Sequence, residues 1–297
     1  MAMQERRLEL RVTEEQKIDT LLRRMLNCSS AVIRTAKQYP DGILLDGVHA
    51  TTAQTAQPGQ VLSILVSDRE NGDLVPAEGA LDILYEDEDI LVLNKAAGVA
   101  VHPGPGHHND TLGNFLTDYY KKQGVPFLFR PAHRLDRNTS GIMVIARHAH
   151  VQELLKKQLH TGDFKREYLA VCQGAPQPEE GIIDQPIGRV DGSVLMREVR
   201  SDGARALTRY KIMSTENGRS LVRLELETGR THQIRVHMSW LGCPLIGDFL
   251  YGVEDKTLIG RTALHSWKLS ITQPLTGERL ELTAPMPEDM ERLINLT

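Results

Sequence analysis

The sequence predicts an α+β fold: a mixed, mainly antiparallel central sheet flanked by helices and loops, preceded by a small α/β module. Three observations lead there. Strand-like runs outnumber helical ones. Some are joined by chain-reversing turns, Asn217-Gly218 and Thr276-Gly277, which suit antiparallel pairing rather than a doubly wound parallel sheet. A polar, acidic stretch from Ser67 to Gly79, with Gly72 and Pro76, reads as a linker and divides the chain into residues 1–74 and 75–297.

In the first part, Thr13 with Glu14, Glu15 and Gln16 reads as a helix start, because a hydroxyl can cap and early acids suit the helix dipole. Ile18, Leu21, Leu22, Met25 and Leu26 follow at helical spacing; Asn27 to Ser30 break the run, and Ala31 to Gln38 predicts a second helix. Gly42–Leu45 and Val61–Val66 predict short strands near the turns Asp46-Gly47 and Pro58-Gly59. In the second part, strands are predicted at Ile90–Leu93, Gly141–Ala146, Phe164–Cys172, Arg205–Met213 and Leu221–Glu227, with a last hairpin from Leu264–Thr272 and Arg279–Leu282. Helices are predicted at Ala149–His160 and Thr231–Leu241, and His102 to His108 (HPGPGHH) is an irregular loop.

Length and composition, 297 residues with 40% hydrophobic and 25% charged, are those of an ordinary globular chain of two domains. No apolar run reaches the roughly 18 residues of a membrane span, and the charged N-terminus lacks a signal segment. Cys28, Cys172 and Cys243 form no CxxC and cannot all pair, so reduced thiols in a cytoplasmic protein are expected. The net charge of −4 conceals an uneven distribution. Asp68 to Asp89 holds nine acids against Arg69, a charge of −8 that leaves +4 on the remainder. Residues 130 to 167 carry eight Lys/Arg against four Asp/Glu, plus four histidines, which fits either a local polyanion site or a solvated basic surface.

Two segments carry the candidate chemistry. His133-Arg134-Leu135-Asp136-Arg137-Asn138-Thr139-Ser140-Gly141 places a carboxylate between two arginines at the mouth of a strand. Pairing with a guanidinium keeps a carboxylate ionised, ready as nucleophile or base, but the same pattern serves a structural salt bridge equally well. Gly229-Arg230-Thr231-His232-Gln233-Ile234-Arg235-Val236-His237-Met238 places Arg235 one turn into a helix opened by Thr231, where it can share a ligand with Arg230. His232 and His237 lack the spacing of a zinc hydrolase, Gly104 and Gly106 lack the context of a phosphate loop, and no metal or cofactor site is expected. Lys95 reads as a phosphate contact or a solvated turn lysine, and His107 and His108 as a loop tip.

At these segments the chain resembles the HRLD-type RNA pseudouridine synthases, the bacterial ribosomal group in particular. HRLDRNTSG is the family signature. TGRTHQIRVHM, followed by LGCPLIGD and LYG, is similar to its C-terminal motif, and Leu84–Asp87 with Leu93–Gly98 and Val101–Pro103 to its opening. The N-terminal module resembles the small RNA-binding fold named after ribosomal protein four of the small subunit, on a helix pair, a turn and Gly59 before a strand. The resemblance implies an isomerase that converts uridine to pseudouridine in structured RNA without cofactor or metal, ribosomal RNA ahead of transfer RNA, and a monomer as the default. It implies Asp136 as catalytic residue, Tyr168 packing on the target base and Arg235 pairing with the aspartate, in preference to Arg230. Arg134 would fill the gap left by a flipped nucleotide, and His133, Thr139 and Arg230 would join it in binding substrate. Whether Asp136 adds to the base, adds to C1′ or takes a proton from C2′ stays open.

Overall fold

The protein is described by a computed structural model, over residues 5–294. An N-terminal unit has its own four-stranded antiparallel sheet, ordered Arg7–Arg11, Val61–Leu65, Ile43–Leu45, Val48–His49. The helices Ile18–Arg24 and Ser30–Ala36 share a core with it, built from Leu8, Leu21, Leu22, Ile33, Ile43 and Leu62. Thr13 does not open the first helix. Gln16–Lys17 instead pair with Thr55–Ala56, and the helix begins at Ile18 behind a Lys17 that makes no capping bond. A ladder tied to the rest of the unit outcompetes a threonine cap, which is worth about 1 kcal/mol. The strand Arg7–Arg11 was not expected, although Leu8 and Leu10 alternate across it.

The larger part is built on one ten-stranded sheet. Its main path runs Glu180–Asp184, Leu207–Glu216, Arg219–Leu226, Lys165–Gln173, Leu264–Thr272, Ser140–Ala146, Ile90–Lys95, Ile83–Glu86. Arg279–Thr283 also pairs with Leu264–Thr272, and Arg130–Pro131 with Ser140–Ala146. Every pairing is antiparallel except that between Ser140–Ala146 and Leu264–Thr272, which is parallel and registers only Ser140 with His265 and Gly141 with Ser266. Gly141 is required at this junction. Its φ is 109°, and a Cβ there would stand 2.2 Å from the Ser266 carbonyl oxygen.

Side chains alternate across the sheet with period two. Met143 and Ile145, with Leu91 and Leu93, pack toward Leu112, Leu116 and Tyr120 of the helix Leu112–Lys122. Ile142, Val144 and Ala146, with Ile90 and Val92, pack toward Val151 and Leu155 of the helix Ala149–Thr161. Burial on both faces makes Ser140–Ala146 wholly buried and anchors the loop that precedes it. The helix Leu112–Lys122 has no counterpart in the sequence-based prediction, yet Thr111 and Asn114 form its capping box.

The N-terminal unit is docked on this body. Arg6 donates to Asp89 through Nε (2.9 Å) and Nη2 (3.0 Å), and the buried Asp89 also accepts from His148 and Gln273, each at 3.0 Å. Arg130 pairs with Asp68. The acidic linker is therefore not a free tether: Gly72 N–H donates to Phe127 O (3.1 Å), and Asn114 Nδ2 donates to Val75 O (2.8 Å).

Candidate active site

Asp136 lies in the loop that leads from Arg130–Pro131 into the parallel junction, where Thr139 N–H turns back onto Asp136 O at 3.1 Å. The next carbonyl, that of Arg137, accepts from Gly98 N–H (2.9 Å) and from Lys95 Nζ (3.0 Å). Lys95 is 1% exposed, so it is neither a solvated turn lysine nor free to meet a phosphate. Its remaining bonds go to Ala96 O (2.7 Å) and Val99 O (2.9 Å), and three carbonyls match the three N–H of an ammonium. Burial, opposed by the charge of Asp136, pulls its pKa down to about 7. The loop is thereby fixed to the end of the strand Ile90–Lys95.

Arg235 stands on the helix Gln233–Trp240. Thr231 does not open that helix; His232 occupies the cap position in the left-handed region, φ 58°. The turn before it is organised by the Gln233 side chain. Its Oε1 accepts from Thr228 Oγ1 (2.8 Å) and Arg230 N–H (3.0 Å), while its Nε2 donates to Leu207 O and Thr208 Oγ1. One turn in, Arg235 donates through Nε (2.6 Å) and Nη2 (2.7 Å) to the two oxygens of Asp248, and through Nη1 to Asp136 Oδ2 at 3.2 Å. Arg235 is 5% exposed and Asp248 fully buried, whereas a quarter of the Asp136 side chain remains exposed. Burial works against the charge of Arg235, but Asp248 first and then Asp136 raise its pKa above the ordinary arginine value. Asp248 is itself fixed, accepting from the amides of Leu250 (3.0 Å) and Tyr251 (3.2 Å). The guanidinium thus presents one remaining edge to Asp136 from a rigid mount.

On the other flank, His232 Nε2 lies 3.7 Å from Asp136 Oδ2, and its Nδ1 is 2.8 Å from the Tyr251 hydroxyl. That hydroxyl also accepts from Arg197 N–H (2.9 Å), so Tyr251 fixes the plane of the His232 ring and turns Nε2 toward the carboxylate. Burial lowers the His232 pKa, Asp136 opposes this, and Arg235 adds to the lowering.

Tyr168 comes from the strand Lys165–Gln173, where the register with Leu264–Thr272 slips between Glu167 and Tyr168. The extra residue is Trp267 of the partner strand, and the register of Glu167 and Tyr168 with Arg219–Leu226 is unbroken. Tyr168 is 4% exposed, and its hydroxyl has no hydrogen-bond partner among the described residues. It borders a cavity of about 370 Å³ shared with Asp136, His133, Arg134 and Arg230, and a tighter one of about 60 Å³ shared with Asp136, Thr139, Arg230 and Arg235. All seven site residues expected from the sequence therefore meet around these two spaces. Arg134 is exposed and makes no hydrogen bond or ion pair among the described residues; Thr139 is buried; Arg230 is tied through Nε to Arg205 O at 2.9 Å. His107 does not stand at a free loop tip: it accepts from Arg137 Nη1 through Nε2 (2.6 Å) and meets Asp110 through Nδ1.

A family model described as RNA pseudouridylate synthase matches residues 89–240. An uncharacterised RNA pseudouridine synthase of Bacillus subtilis, YjbO, is 40% identical over 270 residues, covering 91% of this chain and 95% of that protein. Ribosomal large subunit pseudouridine synthase D of Xanthomonas campestris is 39% identical over 267 residues, 85% of this chain and 80% of its own length. The chain belongs to the RNA pseudouridine synthase family. Among solved structures, human RNA pseudouridylate synthase domain containing 1 superposes with a TM-score of 0.58 at 28% identity, over 70% of this chain and 86% of that one. Members of this family are isomerases that use an aspartate on a flipped-out uridine. No described helix is long and apolar enough to cross a membrane.

Three residues around this site escaped the sequence reading as participants, Arg166, His232 and Asp248, and Lys95 was read only as a phosphate contact or a solvated turn lysine. Asp248 ends the motif-like run LGCPLIGD, so its position was visible but its partner was not. His232 was weighed only as a metal ligand. Lys95 and Arg166 are basic residues that sequence places on the surface by default, and only the tertiary fold buries them.

Proposed function

We propose that this chain isomerises a uridine of large-subunit ribosomal RNA, with Asp136 as the catalytic carboxylate. One observation carries the proposal: Asp136 is the partly exposed acid beside Tyr168, and it is aimed by a guanidinium that is itself immobilised by a second, fully buried acid. The name of the Xanthomonas campestris relative supports ribosomal over transfer RNA as substrate.

The reaction breaks C1′–N1, turns the uracil, joins C5 to C1′, releases the C5 proton and protonates N1, with no net redox change. Taking the base out of its stack costs a few kcal/mol, which a wedge and a stacking face offset. Arg134, exposed on the lining of the larger cavity and unpaired among the described residues, is suited to fill the vacated place. Tyr168 offers a face to the uracil and a hydroxyl to a migrating proton. Arg235 keeps Asp136 ionised and directed in a site partly shielded from water, where such preorganised charge counts most. Thr139, His133 and Arg230 complete the walls that receive the nucleotide. Residues 1–74 are assigned to a separate RNA-binding module that adds affinity; its own sheet and core support this.

The test is pseudouridine formation in transcribed large-subunit ribosomal RNA, mapped by carbodiimide adducts and followed by release of tritium from C5-labelled uridine. Asp136→Asn is expected to bind the RNA and form no product. Equal product from both proteins would remove Asp136 from the reaction.

A further inference from the structure

Arg166 poses an electrostatic problem that the site described so far leaves unsolved. It is 9% exposed, and two positions before Tyr168 it shares that residue's face of the strand. Among the described residues it has no hydrogen-bond acceptor and no carboxylate partner, and its Nε is enclosed with nothing to bond. The nearby acids are engaged elsewhere: Asp136 with Arg235, Glu227 with Arg209, Glu167 with Arg223. Arginines buried to similar depth all have an acid, Arg147 with Glu86, Arg235 with Asp248, Arg261 with Asp289. Only its Nε is sealed; the two Nη groups open onto the cavity, so an aimed guanidinium fork without an acid of its own points to an anion that arrives from outside.

The surroundings define that anion. The Arg166 guanidinium lies 5.7 Å from the Phe164 ring centroid, and Gly229 passes its tip, where a Cβ would lie 3.7 and 3.8 Å from Nη2 and Nη1. His133, edge-on to the same Phe164, lines the same cavity of about 370 Å³. Its Nε2 accepts from Val144 N–H (3.4 Å), so Nδ1 carries the hydrogen, and Nδ1 makes no well-formed hydrogen bond, only the Arg134 backbone acting on the ring from nearby. Burial and the adjacent Arg166 charge push His133 down to about 3, which leaves it a neutral donor. Two unanswered donors, one a planar fork suited to a pair of oxygens, border the space that also holds Asp136 and Tyr168.

We infer that Arg166, assisted by His133 Nδ1, is the receptor for an RNA phosphodiester that flanks the flipped uridine. The inference rests on the pseudouridine synthase reading above and adds to it a backbone-anchoring point in the larger cavity, which Arg235 does not line.

The experiment uses the full chain, a large-subunit ribosomal RNA transcript that the wild type modifies, and a synthetic stem-loop spanning the modified uridine. Arg166→Met removes the charge at similar volume. It is expected to weaken stem-loop binding about tenfold to a hundredfold at low salt and to reduce the slope of log affinity against log salt by about one. A single methylphosphonate, which removes the charge of one linkage, is placed at each side of the target uridine in turn. At one side it should weaken wild-type binding by a similar factor and leave R166M binding unchanged. Melting of R166M at or above the wild-type temperature is expected, because an uncompensated charge has gone. An unchanged salt slope, or equal methylphosphonate losses in both proteins, overturns the inference. Should R166M fail to fold, the wild type decides alone: no loss at either flanking linkage overturns it. A wild type that forms pseudouridine while R166M binds normally defeats this inference only; a wild type that modifies no RNA defeats the reading beneath it.

Discussion

Replacing Asp248 separates the mount of the catalytic clamp from the clamp itself. Asp248 accepts two hydrogen bonds from Arg235 and two from backbone amides, and does not border either cavity that holds Tyr168. Asp248→Ala leaves Arg235 buried with only Asp136 to answer it. Breaking such a pair by removing one partner costs about 3–5 kcal/mol, and at about 2–4 °C per kcal/mol for a chain of this order of size the melting temperature should fall by roughly 6–20 °C. Asp248→Asn keeps one acceptor oxygen, so a smaller fall is expected. The kinetic effect follows from the bond that Asp248 aims, Arg235 Nη1 to Asp136 Oδ2. A hydrogen bond to a charged group is worth about 1.5–3 kcal/mol, so its misdirection should slow the chemical step by roughly ten- to a hundredfold. The assay is single-turnover tritium release with D248N at saturating RNA, below its melting temperature, beside an independent measurement of affinity. The rate should fall while Kd stays within about twofold, since Asp248 is fully buried and borders neither cavity that holds Tyr168. A D248N protein that melts lower yet turns over at the wild-type rate would refute the reasoning, because Asp136 would then need no rigid guanidinium.

Three further outcomes are expected. Gly141→Ala puts a methyl group 2.2 Å from Ser266 O at φ 109°, so it should destabilise by several kcal/mol, read by urea denaturation, and abolish product even where some protein folds. His232→Gln can place an N–H near the Nε2 position and cannot titrate. Burial holds the histidine below its ordinary 6.5, so the native state takes up this proton later than the unfolded chain as pH falls. Stability from His232 is therefore level above about pH 6.5 and declines below it, and the melting temperature of H232Q should fall less than that of the wild type between pH 7 and 5. Deleting residues 1–74 should weaken RNA binding and its salt dependence while the single-turnover rate at saturation stays within a few fold; loss of the rate at saturation would place the N-terminal unit in the reaction itself.

Local signals made much of the larger part legible. The apolar run Gly141–Ala146, the helix from Ala149 and the hairpin turns at Asn217-Gly218 and Thr276-Gly277 are all present. The helix Leu112–Lys122 and the strand Arg7–Arg11 carried local signals that went unread, whereas the two misplaced helix starts fell where other contacts overrode local preference. Thr13 is a sound cap on its own, but pairing with Thr55–Ala56 draws the chain into a ladder first. Thr231 is equally plausible as a helix opener, yet Gln233 reaches back to Thr228 and Arg230 and moves the cap to His232. The site shows the same division. Asp136 and Arg235 are 99 positions apart, and only family resemblance joins them in the sequence. The Arg235–Asp248 pair and the three carbonyls around Lys95 are tertiary facts with no local trace.

Several costly features gather around Asp136: a fully buried lysine, an uncompensated Arg166, a left-handed His232 and a parallel junction only two residue pairs long. Each is unfavourable by itself, and a sheet selected for stability alone would close the junction and neutralise the charges. The parallel step explains why they belong together. Beyond Gly141 and Ser266 the two strands separate and each turns to its own extra partner, Arg130–Pro131 or Arg279–Thr283; the loop carrying Asp136 leaves from Arg130–Pro131 at that opening and re-enters the sheet at the paired end, Ser140. Tyr168 and Arg166 reach it from the next strand across, on one face, because side chains repeat every two residues. The extensive antiparallel ladders on both sides, and cores on both faces of Ser140–Ala146, hold the opening against collapse. Charges kept in place without substrate need no reorganisation when RNA arrives, so the instability concentrated here is what a preorganised electrostatic site requires.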